Sequence, residues 1–178
     1  MNEFVDQRTV WRGRVALALV VAWMSWQYYT HPQPWGVLDW ADLPFHEAGH
    51  YFLMPFFGQF TVVLGGTLGQ LAFPVGFAVY FAWRGRDPYA ALLCLFWVAT
   101  NLINISVYMK DAKVMLLPMF NSDEHDWNYL FGQMHILDRA VVIANRVRFL
   151  GTVVMTASLG GIALHLARTR PQGESLPQ

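Results

Sequence analysis

Long stretches without charged residues constrain this chain more than any other feature of its sequence. Four windows contain no Asp, Glu, Lys or Arg and together cover 98 of the 178 residues: 15–38, 51–83, 88–109 and 149–167. The remaining 80 residues carry all 24 charged side chains. Charge-free apolar runs of about 18 or more residues are typical of membrane-spanning helices, whereas a soluble domain spreads its charges over amphipathic elements. The pattern predicts an all-α, polytopic membrane helix bundle. It argues against a soluble enzyme, a nucleic-acid-binding protein and a disordered chain.

The apolar windows predict about four transmembrane helices in a single domain, residues 1–170, followed by a disordered tail, 171–178. The first span begins at Val15, after three arginines, and is apolar to about Tyr29. It is too long for the apolar region of a signal peptide, and Trp and Tyr residues cluster at its far end as in an interfacial belt. The other three spans are predicted at about 60–82, 88–109 and 147–167.

The longest window, 51–83, is too long for one span, because as a helix it would measure about 50 Å against a hydrocarbon core of about 30 Å. We therefore place a separate helix at about Leu43–Met54, with Asp42 as its N-cap and Pro44 in its first turn. Its shortness and its ionisable residues favour a re-entrant or interfacial helix over a fifth span.

Arginine and lysine residues give the orientation. In the four-span arrangement, seven of the twelve lie on the side of both termini, which predicts a cytoplasmic N-terminus for an integral, multi-pass protein. A five-span arrangement satisfies the same rule, so helix length rather than charge favours four spans.

The sequence His46-Glu47-Ala48-Gly49-His50 is an H-E-x-x-H motif on the predicted short helix. Histidines four residues apart project from one helix face, so both imidazoles can bind one Zn²⁺. Glu47 lies beside them, where a carboxylate can act as general base on a water and return the proton to a leaving amine. An interfacial polar patch or a structural zinc site is the alternative interpretation of these residues.

A catalytic zinc site needs a third protein ligand. The acidic segment 121–127, predicted to begin an amphipathic helix capped by Ser122, offers three candidates within three residues. We favour Asp126, then His125, then Glu124, and Asp111 at the end of the third span is a further option. The alternative interpretation is that these acids only complement the dipole of a helix N-terminus.

Polar residues inside the apolar windows are candidates for supporting this site. Asn101, Asn104 and Tyr108 have i, i+3, i+7 spacing and form one stripe on the third span, where they could hold a substrate or form helix–helix hydrogen bonds. The glycine-rich run 65–70 favours close helix packing, with irregular backbone as the alternative. Gln70 is the residue in that run with a candidate functional role.

The motif at the membrane, followed by apolar helices and a distant aspartate, resembles the site-2 protease family of intramembrane zinc metalloproteases. The resemblance implies that His46, His50 and an aspartate bind zinc and that Glu47 is the general base. The family's usual Leu-Asp-Gly sequence is replaced by His125-Asp126-Trp127, and no PDZ-like insertion is present. The chain therefore resembles a minimal, divergent member.

These observations predict a membrane-embedded metallopeptidase with one Zn²⁺ per chain. Its partners would be the lipid bilayer and a peptide or membrane-protein substrate, with no nucleic acid. The alternative is a non-hydrolytic metal-binding or structural subunit of a membrane complex, for which eight Trp and 13 Phe residues leave ample apolar surface. A di-iron enzyme is disfavoured because a second Glu-x-x-His is absent from the sequence.

Overall fold

The computed structural model describes residues 6–31, 36–117 and 125–171. Over these ranges the protein is all-α and contains no strand. One 3-10 turn, Leu137–Arg139, leads into the last helix. The six helices are α1 (Gln7–Thr30), α2 (Val37–Leu53), α3 (Gln59–Trp83), α4 (Pro88–Asp111), α5 (Asp126–Gln133) and α6 (Ala140–Arg168). The tail 172–178 and Ser122 lie outside the described residues. Helix α5 begins at Asp126 with His125 as its N-cap, so the prediction that Ser122 caps this helix is wrong.

Three of the described helices are long and apolar enough to cross a membrane: α3, α4 and α6, the last counted together with the 3-10 turn that precedes it. Helix α1 has 24 residues, about 36 Å of helix, but is not one of these three, so the predicted first span stays a prediction. The predicted spans at 60–82 and 88–109 agree with α3 and α4 to within two residues. Helix α6 begins seven residues before the predicted 147.

Contacts between helix ends show that α1, α3, α4 and α6 alternate in direction. Arg14 near the start of α1 contacts Asp87 and His165, at the start of α4 and the end of α6. At the opposite end, the Arg148 guanidinium donates to the carbonyl oxygens of Tyr28 and His31, where α1 finishes. We call the first end the basic end and the second the site end.

Helix α2 is packed against α3 with almost no space between the two backbones. A Cβ added at Gly49 would overlap the carbonyl group of Gly65, and a Cβ added at Gly69 would overlap the carbonyl oxygen of Phe45. Glycine at these positions lets the helices approach closely, as small residues do between membrane helices. The glycine run is thus a packing surface within a continuous helix, and the alternative of irregular backbone is wrong.

Gly69→Ala is expected to destabilise the protein, because the new methyl group meets backbone atoms that cannot rotate away. It would also lie 2.9 Å from the Cα of Gly49. Overpacking of this kind costs about 1–3 kcal/mol in the free energy of unfolding. Gly76→Ala on the same helix is the control, since a Cβ there has no atom within 4 Å and alanine favours helix. Equal stability of the two variants, measured by circular dichroism during denaturation, would contradict this packing.

The predicted start of α2 is wrong. The helix begins at Val37, so Asp42 is not its N-cap and Pro44 lies in its interior. Two buried carboxylates stabilise the extra turns: Asp39 accepts from the backbone N–H of Gly36, and Asp42 accepts from the Trp97 indole at 2.7 Å. The predicted end at Met54 is confirmed as the C-cap position.

Helix α5 lies across the site end of the bundle and belongs to its core. Trp127, Leu130 and Phe131 pack with Ile105 and Met109 of α4 in a buried cluster. The Asn128 side chain donates to the carbonyl oxygen of Ala112 at 2.8 Å. These contacts hold α5 against the site end of α4.

Candidate metal centre

Three side chains from two distant parts of the chain converge at the site end. His46 and His50 project from one face of α2, and Asp126 is the first residue of α5. Asp126 Oδ2 lies 2.9 Å from His46 Nε2 and 3.3 Å from His50 Nε2. Within the described part of the chain, these residues form the one group of three or more His, Cys, Asp or Glu arranged to hold a metal ion.

The arrangement suits a tetrahedral metal. Zinc–ligand bonds of about 2.0–2.1 Å place neighbouring ligand atoms about 3.3 Å apart, close to the two His–Asp separations. The three side chains are 13–18% exposed, so the centre is enclosed and still reachable by a small molecule. Gly66 of α3 faces both histidines, and a Cβ there would fall on their two Nε2 atoms. Two imidazoles, a carboxylate and a glycine that leaves room beside them fit Zn²⁺.

Asp126 is the ionised partner that such a centre needs. Burial by itself raises the pKa of its carboxyl, but the two imidazoles of His46 and His50 beside it outweigh burial and bring the pKa to about 2. The side chain is therefore a carboxylate at neutral pH, which is the form that binds a metal.

The other candidate third ligands face elsewhere or lie outside the described residues, as Glu124 does. His125 caps α5, its Nδ1 accepting from the Asn128 backbone N–H at 3.3 Å. Burial lowers the pKa of His125, which suits this neutral accepting role. Asp111 accepts from the backbone N–H groups of Leu116 and Leu117 at 2.9 and 3.0 Å, and lies 3.4 Å from His125 Nε2. His125 and Asp111 thus form a neighbouring structural pair.

The second ring nitrogen of each motif histidine, Nδ1, donates a hydrogen bond to an acceptor on α3. His50 Nδ1 donates to the carbonyl oxygen of Val62 at 2.8 Å. His46 Nδ1 donates to Gln70 Oε1, also at 2.8 Å. Such bonds leave the Nε2 lone pair of each ring free for a metal and fix the orientation of the ring.

The predicted polar stripe on α4 divides into three roles. Asn101 accepts from Gln70 Nε2 at 2.8 Å and so contacts the centre through Gln70. Tyr108 accepts from the backbone N–H of Asp126 at 3.2 Å, and its ring stacks on His125 with centroids 4.1 Å apart. Asn104 lies near the Asp39 carboxyl and away from the centre.

Glu47 is half-buried on α2, one position after the first histidine. Its charge is within electrostatic reach of His50 and Tyr108. A carboxylate in this position adjoins the centre without contributing to the cluster of three ligands.

Sequence reasoning missed Gly66 and the buried pair Asp39 and Asp42. Gly66 was indistinguishable from its neighbouring glycines, since only the tertiary contact shows which one faces the imidazoles. For the two aspartates a signal existed: they precede His46 by seven and four residues and share its helix face. Both are nearly fully buried, 3% and 4% exposed, which is rare for carboxylates.

Comparison of the chain with protein families, with characterised proteins and with solved structures finds no match.

Proposed function

We propose that this protein is a membrane-embedded zinc metallopeptidase that hydrolyses a peptide bond in or near the bilayer. One observation carries the proposal: Asp126 Oδ2 lies within 3.3 Å of the Nε2 atoms of both H-E-x-x-H histidines, although it is 76 residues away from His50 in sequence. The resemblance to site-2 proteases, with their two histidines and distant aspartate, supports the same conclusion.

The residues divide the chemistry among them. His46, His50 and Asp126 would hold the ion, and Zn²⁺ bound there supplies a Lewis acid that makes water nucleophilic near neutral pH. Glu47 removes a proton from the attacking water as the new C–O bond forms. It then gives that proton to the amine nitrogen as the C–N bond breaks, so no other proton source is needed.

The position of the centre favours a substrate within the membrane. Gly66, which faces both histidines, is seven residues from the start of α3, so the centre lies about 10 Å along that helix, in the half nearer the site end. We further propose that α1 is a fourth span and that α2 is re-entrant, so that the chain enters and leaves α2 from the site end. The basic end, with the N-terminus, then faces the cytoplasm. A lipid-exposed segment of a membrane protein is the substrate class that can reach such a depth.

Elemental analysis of the purified chain tests the metal centre. The wild type is expected to hold about one zinc per chain, and Asp126→Ala should lower this to roughly a tenth or less because only two ligands remain. His125→Asn, which keeps a side chain able to cap α5, should retain zinc. Asp138→Ala removes an exposed aspartate that pairs with Lys113 and is the control. Zinc-free wild-type protein, or zinc retained by Asp126→Ala and lost by His125→Asn, would contradict the assignment.

A further inference from the structure

The hydrogen bonds behind His46 continue through two buried amides into α4. We propose that Asn101 is a positioning residue, which sets the tautomer of His46 through Gln70 and so keeps His46 Nε2 free to bind metal. This inference rests on the proposed metal centre and adds to it a group that does not touch the ion.

The direction of these hydrogen bonds is fixed at their far end by a group that can only accept. Asn101 Nδ2 donates to the carbonyl oxygen of Trp97 at 3.2 Å. Because a carbonyl oxygen cannot donate, the amide nitrogen of Asn101 must face Trp97 and its oxygen must face α3.

That orientation then determines the next two groups. Asn101 Oδ1 accepts from Gln70 Nε2 at 2.8 Å, so the amide oxygen of Gln70 faces α2. Gln70 Oε1 in turn accepts from His46 Nδ1 at 2.8 Å. With its proton on Nδ1, the neutral imidazole has its lone pair on Nε2, the atom that faces Asp126.

Without Asn101, no other group in this series of hydrogen bonds would distinguish the two orientations of the Gln70 amide. A reversed amide would donate to His46 Nδ1, which would then hold the lone pair. The ring proton would move to Nε2 and block metal binding. Gln70 and Asn101 are 4% and 0% exposed, so bulk water cannot take the place of either partner.

His50 provides an internal comparison. Its Nδ1 donates directly to the Val62 carbonyl oxygen, an acceptor that cannot be reversed. The tautomer of His50 is therefore fixed by one bond, whereas His46 needs three bonds to reach an equivalent backbone carbonyl at Trp97. Asn101 should accordingly matter for one ligand of the centre and not for the other.

Zinc affinity of the full chain in detergent micelles tests the proposal, with a competing chelator and Zn²⁺ alone as the probe. Asn101→Leu, similar in shape but without hydrogen-bonding groups, is expected to raise the zinc dissociation constant about 10- to 100-fold. Ser106→Ala is the matched control on the same helix. Ser106 is also buried, 3% exposed, and donates to the carbonyl oxygen of Ile103 in its own helix.

Rescue separates a positioning role from a packing role. An ionised glutamate at position 70 can only accept, so it fixes the His46 tautomer without help from Asn101. The double variant Asn101→Leu with Gln70→Glu is therefore expected to bind zinc within about threefold of the wild type. A purely structural defect at Asn101 would persist in the double variant. Unchanged affinity in Asn101→Leu, or failure of this rescue, would overturn the proposal.

Asn101→Asp gives a second test if Asn101→Leu does not fold, because an aspartate still accepts from Gln70. Retained affinity supports the positioning role, and a tenfold loss of affinity overturns it. Peptide hydrolysis is not read out in any of these assays. Normal zinc affinities in a chain without peptidase activity would therefore count against the proposed function and leave the role of Asn101 intact. A wild-type chain that binds no zinc would overturn both.

Discussion

Glu47→Gln is expected to retain zinc and to lower peptide hydrolysis by about 10²- to 10⁴-fold. Glutamine has nearly the same shape as glutamate but cannot take a proton from water, so the variant loses the general base and keeps the packing of α2. Glu47 is not one of the three clustered metal-ligating side chains, and we therefore expect full metal content. Zinc per chain and the cleavage rate of a fluorescence-quenched single-span peptide in detergent micelles would be measured on the same preparation.

Asp39→Asn is the matched control for this prediction. It makes the same acid-to-amide change on the same helix, two turns earlier, at a carboxylate that faces Tyr28 and not the centre. Hydrolysis by the control should remain within a few-fold of the wild type. If Glu47→Gln cleaved the peptide as fast as the wild type, the carboxylate would not be the base. If wild-type protein held zinc and cleaved nothing, a non-hydrolytic metal-binding subunit would become the better interpretation.

Gly66→Ala is expected to abolish zinc binding while leaving the fold almost unchanged. The added methyl group would fall on the Nε2 atoms of His46 and His50, and no real Cβ contact is that short. Both rings can rotate away, because the atoms in conflict are the ends of side chains. Rotation relieves the overlap and removes two of the three ligands at once, so we expect at least a 100-fold loss of affinity, about 2.7 kcal/mol or more in binding free energy.

Two other glycines of α3 serve as controls for Gly66→Ala. Gly76→Ala introduces a methyl group into open space and should retain both zinc and stability. Gly69→Ala introduces a methyl group against the backbone of α2, so its main effect should be a lower free energy of unfolding. Normal zinc content in Gly66→Ala would mean that the imidazoles do not face α3 as described. Unfolding of Gly66→Ala at the temperature of Gly69→Ala would mean that residue 66 serves packing alone.

Much of the fold could be predicted because long apolar helices leave a local signature in the sequence. A stretch such as 88–109 contains no charged side chain that would have to remain in water. The tight turn before it, 84–87, has three charged side chains among its four residues. Helix ends were predicted well where proline or glycine stops a helix, as at Met54 before Pro55. The start of α2 could not be predicted, because it depends on hydrogen bonds that Asp39 and Asp42 accept from Tyr28 of α1 and Trp97 of α4.

The candidate site could be predicted only as far as local spacing reaches. The i, i+4 interval fixes His46 and His50 on one helix face whatever the rest of the chain does, and it places Glu47 beside them. The third ligand could not be chosen this way, since Asp126, His125 and Asp111 all follow the motif by more than 60 residues. Adjacent residues in the chain point about 100° apart on a helix, so the docking of α5 decides which one reaches the centre.

The sequence by itself therefore determined an all-α chain with long apolar helices and a histidine pair spaced for one metal ion. These properties follow from the covalent periodicity of a helix and from the cost of charge in an apolar medium. Only the tertiary structure decided that Asp126 meets both histidines and that Gly66 leaves room beside them. It also revealed the bonds that link His46 to Asn101. Those contacts join α2, α3, α4 and α5, and their distances are set by how closely Gly49, Gly65 and Gly69 let two helices approach. That approach depends on packing between distant segments, which helical periodicity does not encode.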